Sequence, residues 1–384
     1  MKKALSPWYV IGLAYSSLFV FGLADNGRGP IFPDLLREFS LSDSQGGLFF
    51  FVASTAALVN NLLLFGLMER KGAYWILRVY SLAQALGLVL VGWAPTYTLV
   101  LIGCFLFGTS FGGLGISHNV LVSEAAPESR RRQLLAGLHS TYGVASLAVP
   151  LFVTVMYHLG FSWRAVSFSL ALGPLAVFLA SFKINGEEYN APIESSEGKA
   201  LSRPWKMALV YSLIATGYVV AEIGLSSRLA LLVRRDWGYE VDTANLLVSG
   251  FFLGLFIGRI VFAFVPIKYS DSKILALSGC ASLIAFSLGL LHHPLWLALT
   301  GLTMSMFYPV VFAMVKHETG RYSGYVTSWC FTVQALGLML MHIVMGALSD
   351  QFGLARALWI GPLCLAFSLL VLLVKPKFQP NFPS

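Results

Sequence analysis

Apolar residues run along this chain in blocks of about twenty, separated by polar connectors that are mostly short. A helix that crosses a bilayer needs about 20 mostly apolar residues. Backbone N–H and C=O groups find no partners in lipid, so blocks of this length are helices rather than strands. The alternating segments of about ten residues that mark a membrane β-barrel do not occur. The pattern predicts twelve spans, at 8–32, 45–68, 73–93, 97–123, 133–158 and 162–182, then 204–233, 243–266, 273–292, 294–316, 322–348 and 353–374. Lys2 and Lys3 ahead of the first block resemble a signal peptide ending near Gly22-Leu23-Ala24. The block has a counterpart in the second half and is read as a retained span.

The longest connector, 183–203, carries Glu187, Glu188, Glu194 and Glu197. It divides the chain into an N-terminal six-helix bundle (1–182), a cytoplasmic linker loop (183–203) and a C-terminal six-helix bundle (204–384). The halves read as a repeat. Asp25 in the first span matches Glu222 in the seventh. Gly160-Phe161-Ser162-Trp163-Arg164 after the fifth span is echoed by Gly353-Leu354-Ala355-Arg356 after the eleventh. The offsets, 197 and 192 residues, agree within a loop's tolerance. Two bundles related by a pseudo-twofold, with a site between them near the midplane, form a transporter plan.

Of the 384 residues, 57% are hydrophobic and 11% charged, whereas soluble chains carry about 25% charge. The net charge of +8 does not point to nucleic acid, because the Lys and Arg residues sit in connectors. Eighteen of the 26 lie on the side of the termini and the middle loop, five on the other, and Arg28, Arg228 and Arg259 fall within spans. Cationic loops stay in the cytoplasm, so both termini are expected there, with a bacterial inner membrane the expected location. The four cysteines lie inside apolar blocks and read as small core residues. No Gly-rich phosphate loop with Lys occurs, and His317-Glu318 lacks the second His of a zinc protease. Neither an enzyme, a metal, a cofactor nor ATP-driven transport is indicated; the expected partners are a small-molecule solute, protons or another coupling ion, and the lipid bilayer.

The connector after the second span reads Leu67-Met68-Glu69-Arg70-Lys71-Gly72, and after the fourth comes Glu124-x-x-Pro127-x-x-x-Arg131. In these motifs, with twelve spans and a central loop, the chain resembles the major facilitator superfamily over nearly its whole length. The resemblance implies an all-α membrane protein with two six-helix bundles and transport by alternating access. It departs from the pattern where Phe65 replaces the usual first Gly and Glu69 the usual Asp, and the second copy of the motif is lost at Pro266-Ile267-Lys268. Within that superfamily, Phe39-x-Leu41-x-x-x-Gln45-x-Gly47-Leu48, Tyr218-x-x-x-Glu222 and Tyr308-Pro309 resemble fucose-permease-like sugar transporters. Fucose permease carries its first-helix Asp four residues before the Pro, where this chain has Gly29.

A charge at membrane depth costs about 2.5–3.5 kcal/mol on insertion scales, so such residues face a cavity or each other. Asp25 and Glu222 are therefore the proton-coupling candidates. Two readings are open for Asp25: a carboxylate that binds and releases a proton, or a fixed ion pair with Arg28 three residues on. Glu222 has no partner on its own helix face. Arg28 and Arg228 together suit a grip on a carboxylate or phosphate, which makes an organic anion the alternative to a sugar. Further candidates for solute binding are Asn26, His118, Asn119, His139, Tyr142, Tyr218, Trp329 and Gln334. Adjacent Asn60 and Asn61 cannot both face a cleft, so one is expected to bond a neighbouring helix. Arg259 is assigned to structure or gating, and Glu69, Arg70, Glu124 and Arg131 to a cytoplasmic gate of breakable ion pairs. Proton symport of a small polar solute leads; export of amphipathic compounds is the alternative, and a non-transporting receptor or membrane enzyme on the same scaffold is the third reading.

Overall fold

Long apolar blocks become long helices in the computed structural model, which describes residues 6–183, 204–265 and 268–375. The side chains of residues 61, 62, 64–66, 68, 69, 132, 263 and 321 lie outside that description, as does nearly all of the expected linker loop at 183–203. In chain order the helices are α1 (Pro7–Glu38), α2 (Asp43–Trp93), α3 (Tyr97–Ala125), α4 (Arg131–His158), α5 (Trp163–Ser181), α6 (Trp205–Arg235), α7 (Val241–Phe264), α8 (Asp271–Leu291), α9 (Leu295–Met304), α10 (Phe307–Thr319), α11 (Ser323–Phe352), α12 (Leu354–Ala357) and α13 (Ile360–Val374). There is no strand among the described residues. Eleven segments among them are long and apolar enough to cross a membrane. The predicted second span forms the first part of α2. Large apolar side chains such as Leu172, Phe264, Leu363 and Val374 stand on the surface, as lipid-facing residues must.

Three departures from the predicted spans have local causes. The second and third spans run on as α2, turned at Gly72 (φ 77°, ψ 161°). A side chain is disfavoured in that conformation, which explains why the motif of this connector ends in Gly. The tenth span is two helices, α9 and α10, and the last is α12 and α13. Although Pro30, Pro33, Pro150 and Pro174 are accommodated inside unbroken helices, Pro309 and Pro362 contribute to these breaks, since a proline ring collides with the carbonyl four residues back. Those carbonyls belong to Ser305 and Leu358, where the helices part. The echo between the halves has a backbone cause too: Gly160 and Gly353, which follow α4 and α11, both take positive φ (80° and 86°).

The chain divides into two compact units, Met1–Ser40 with Leu48–Ser196, and Leu41–Gly47 with Glu197–Ser384. Residues 41–47 thus group with the C-terminal unit, whereas the sequence reading kept all of 1–182 together. In the first unit α1 packs on α4, α3 and α5; in the second α6 packs on α11 and α13. The two acid-bearing helices are therefore each surrounded within their own unit. Val10, Ala14, Leu77, Leu114, Leu121 and Leu138 form the apolar core around α1. Asn60 accepts a hydrogen bond from Tyr80, joining the second and third spans as expected for one of the Asn60–Asn61 pair; the Asn61 side chain lies outside the described residues.

Candidate solute and coupling site

Close approach of α1 and α4 builds the first half. A Cβ on Gly22 would lie 2.9 Å from that of Ala145 and 3.1 Å from the Tyr142 ring. The glycine therefore brings Tyr142 beside the next turn of α1. There its hydroxyl donates to Asp25 Oδ2 at 2.8 Å, while Arg28 Nη2 bonds Oδ1. Arg28 Nε also donates to the Asp25 carbonyl at 3.2 Å. The guanidinium carbon lies 5.2, 5.1 and 5.3 Å from the ring centres of Phe50, Phe107 and Phe111, a distance at which aromatic faces attract a cation. Both oxygens of Asp25 are thus engaged, and the Asp25–Arg28 pair is formed. Asn26 donates to Ser146 Oγ at 2.9 Å and to the Gly22 carbonyl at 3.0 Å.

Near the connector that joins α3 to α4, exposed His139 has Nε2 3.1 Å from Asn119 Oδ1. His118 is wholly buried, with Nε2 2.8 Å from Ser17 Oγ. His139 and Asn119 remain accessible candidates; His118 is a packed residue bonded to its neighbour helix.

In the second unit Glu222 does have a partner, on another helix. Arg259 of α7 places Nη2 4.0 Å from Glu222 Oε1, with the Glu222 side chain 16% exposed and Arg259 41%. Arg259 lies 37 positions from Glu222 on another helix, so no same-face spacing links the two. An arginine inside an apolar helix is as costly as an acid; that shared cost was the signal available for pairing them. Tyr308 donates to Gln334 Oε1 at 3.1 Å. Gln334 is 6% exposed, and its Nε2 has no hydrogen-bond partner among the described residues. Trp329 is largely exposed.

Three further candidates are buried or already bonded. Tyr218 is fully buried, stacked on Phe307 at 5.0 Å between ring centres, and donates to the Met304 carbonyl at 3.1 Å. That carbonyl ends α9, where no intrahelical partner follows. Tyr218 is thus packed against α9 and α10, and its hydroxyl also lies within interaction range of Glu222 and Arg259. Arg28 is committed to Asp25, and Arg228 is only 2% exposed. Of the residues expected to form a cytoplasmic gate, Arg70 and Arg131 are exposed, Glu124 keeps one oxygen buried without a hydrogen bond among the described residues, and the Glu69 side chain lies outside the described residues.

A polar cluster that no local sequence pattern marks gathers around Asp43 at the start of α2. Ser42 and Gln45 form a capping box at the start of α2: Ser42 N–H donates to Gln45 Oε1 at 2.9 Å and Gln45 N–H to Ser42 Oγ at 3.2 Å. This accounts for Gln45 in the pattern quoted above. Asp43 takes both arms of Arg235, at 2.8 and 2.9 Å, and a hydrogen bond from Ser349. Asp350 accepts the backbone N–H groups of Asp43 and Ser44 at 2.7 and 3.0 Å. Burial alone would raise the Asp43 carboxyl, but the hydrogen bonds from Arg235 and Ser349 and the charges of Arg235 and Arg228 outweigh it and hold it below its ordinary value.

No group of three or more His, Cys, Asp or Glu suited to a metal ion occurs among the described residues.

Comparison with known proteins agrees with this architecture. The chain is 21% identical over 335 residues to Protein TsgA of Shigella dysenteriae serotype 1 (strain Sd197), covering 86% of this chain and 85% of that protein. Among solved structures it is similar to a D-xylose–proton symporter, with a TM-score of 0.75, 13% identity and coverage of 97% and 98% of the two chains. It is also similar to FucP, a major facilitator transporter solved in an outward conformation, with a TM-score of 0.61, 20% identity and coverage of 96% and 98%. These likenesses bear out the major facilitator fold and the resemblance to fucose-permease-like proteins. The sequence matches the Major Facilitator Superfamily over residues 14–231 and 212–384, and the chain belongs to that family of membrane transporters.

Proposed function

We propose that this protein is a secondary transporter that carries a small polar solute by alternating access, coupled to protons, with Glu222 as the group that takes up and releases the proton. The observation that supports this is the contrast in how the two intramembrane acids are held. Asp25 has both oxygens bonded, one of them to a guanidinium. Glu222 faces its arginine at 4.0 Å, beyond hydrogen-bond length. A carboxylate whose cation stands on another helix, at a separation that helix movement changes, is suited to exchanging that cation for a proton. His139, Asn119 and Gln334 are the polar groups suited to solute hydroxyls, and Trp329 offers an apolar ring face. A sugar leads as solute class because the paired-arginine site that favoured an anion lacks support. The Lys and Arg distribution supports cytoplasmic termini, and the bacterial relatives support an inner-membrane location.

The experiment is uptake into proteoliposomes under an imposed pH gradient, with a panel of monosaccharides that includes D-xylose and fucose, set against sugar acids. Accumulation is expected to require the gradient and to disappear in Glu222→Gln, while solute exchange without a gradient persists. Accumulation that ignores the gradient sinks proton coupling, and unchanged accumulation in the variant sinks the role of Glu222.

A further inference from the structure

Asp34, Arg37 and Glu38 stand three and four residues apart in the last turns of α1 and so share one face. They line an open cleft of about 410 Å³ together with Tyr157 at the end of α4, Phe161 in the connector and Trp163 at the start of α5. All six lie in the first unit. Glu38 is held at the edge of the cleft. It accepts two bonds from Arg164, at 2.8 and 2.6 Å, and one from Trp163 Nε1 at 2.6 Å. Arg164 Nη1 reaches the carbonyls of Gly92 and Ala94, at 3.0 and 2.8 Å. Asp34 accepts the Tyr157 hydroxyl at 2.8 Å. Arg37 differs: its side chain is 79% exposed, and its 3.8 Å approach to Asp34 is beyond hydrogen-bond length.

One side of the cleft meets apolar surface. Leu151, Val155 and Leu159 recur every fourth residue to the end of α4, and with Phe161 they all stand exposed. In a membrane transporter such a stripe faces hydrocarbon. The 32 residues of α1 exceed the 20 or so that cross it, so the last turn of α1 stands at headgroup level, where Tyr and Trp concentrate. We propose that the cleft holds the headgroup of a phospholipid bearing both a phosphate and a primary ammonium, as phosphatidylethanolamine does. The phosphate meets Arg37, whose fork of donors matches its oxygens. The ammonium meets Asp34, because a carboxylate accepts more donors than one hydroxyl supplies. The acyl chains follow the Leu151–Val155–Leu159 stripe. Charge selects this class. Asp34 and Glu38 balance Arg37 and Arg164, so the cleft is neutral with separated poles. An anionic headgroup would gain from Arg37 and be repelled by Asp34, and a choline headgroup has no N–H to donate. The proposal rests on family membership, and on neither proton coupling nor solute identity.

Native mass spectrometry of the delipidated full-length protein tests it, with phosphatidylethanolamine, phosphatidylcholine and phosphatidylglycerol of identical acyl chains added in turn. Phosphatidylethanolamine is expected to be retained severalfold better than the other two. Asp34→Asn should erase its advantage over phosphatidylcholine, and Arg37→Gln should weaken retention of both. Arg356→Gln, at an exposed arginine of the second unit, should leave wild-type retention. Arg37 is a surface residue, so its variant should also melt at the wild-type temperature, which checks folding. Equal retention of the three lipids overturns the proposal, as does stronger retention of phosphatidylglycerol. It is overturned too by an unchanged preference in Asp34→Asn, by unchanged retention in Arg37→Gln, or by an equal loss in Arg356→Gln, which would make the effect general electrostatics. Free O-phosphoethanolamine at the lipid's concentration should displace none of it; displacement would make the ligand a soluble one and overturn the lipid assignment.

Discussion

Asp25 and Glu222 occupy matching positions in the two halves and are equally shielded, with side chains 15% and 16% exposed. They differ in what surrounds them. Asp25 pairs with an arginine one turn along its own helix and with a tyrosine from α4. Glu222 meets its arginine across a helix boundary at 4.0 Å. Depth in a membrane therefore does not by itself assign a role to an acid. The Asp25 carboxylate ties α1 to α4 with both oxygens, whereas the Glu222 carboxylate stands off from its arginine.

The sharpest way to break this comparison is to neutralise each acid in turn and follow uptake. Gradient-driven accumulation should vanish in Glu222→Gln and survive in Asp25→Asn, measured per folded molecule; loss in both, or survival in both, erases the distinction. Next comes stability. Asp25→Asn strands a buried guanidinium and should cost about 3 kcal/mol, seen as a lowered Tm in detergent. Adding Arg28→Met removes the stranded charge and should recover most of that loss. Smaller effects separate the tyrosines. Tyr142→Phe removes a hydrogen bond to a charged acceptor and should cost about 2 kcal/mol, whereas Tyr218→Phe removes one to a neutral carbonyl and should cost about 1 kcal/mol. Thermal melts of the two variants side by side check the order, and solute selectivity should be unaltered in Tyr218→Phe.

The smallest expected effect concerns pH. The Asp43 carboxyl is held below its ordinary value, so its contribution is fully present above the unfolded value of about 3.9 and is lost as pH falls through the lower folded one. After correction for intrinsic exchange chemistry, protection of residues 41–47 should stay flat through the neutral range and fall only in acid.

The fold was legible from the sequence because lipid leaves few choices. Apolar length specified the spans, and the Gly160 and Gly353 echo corresponds to two real backbone turns. The breaks before Pro309 and Pro362 were not legible from the prolines alone, because Pro30, Pro33, Pro150 and Pro174 lie inside unbroken helices. The site was less legible, because its contacts are tertiary. The i,i+3 pairing of Asp25 with Arg28 was visible on one helix, but Arg259 lies 37 positions from Glu222 and no local rule joins them. Asp43 looked like ordinary helix-start chemistry; its bonds to residues near 235 and 350 exist only once α6 and α11 have packed.

The ring of Phe50, Phe107 and Phe111 around the Arg28 guanidinium has a spectroscopic consequence. Ring currents from three aromatic faces at similar distance shift the Arg28 Nε–H resonance away from those of the solvent-exposed arginines. Labelling arginine alone with nitrogen-15 should then isolate a signal that reports, in the intact protein and without any probe attached, whether the tie between α1 and α4 holds while the rest of the molecule moves.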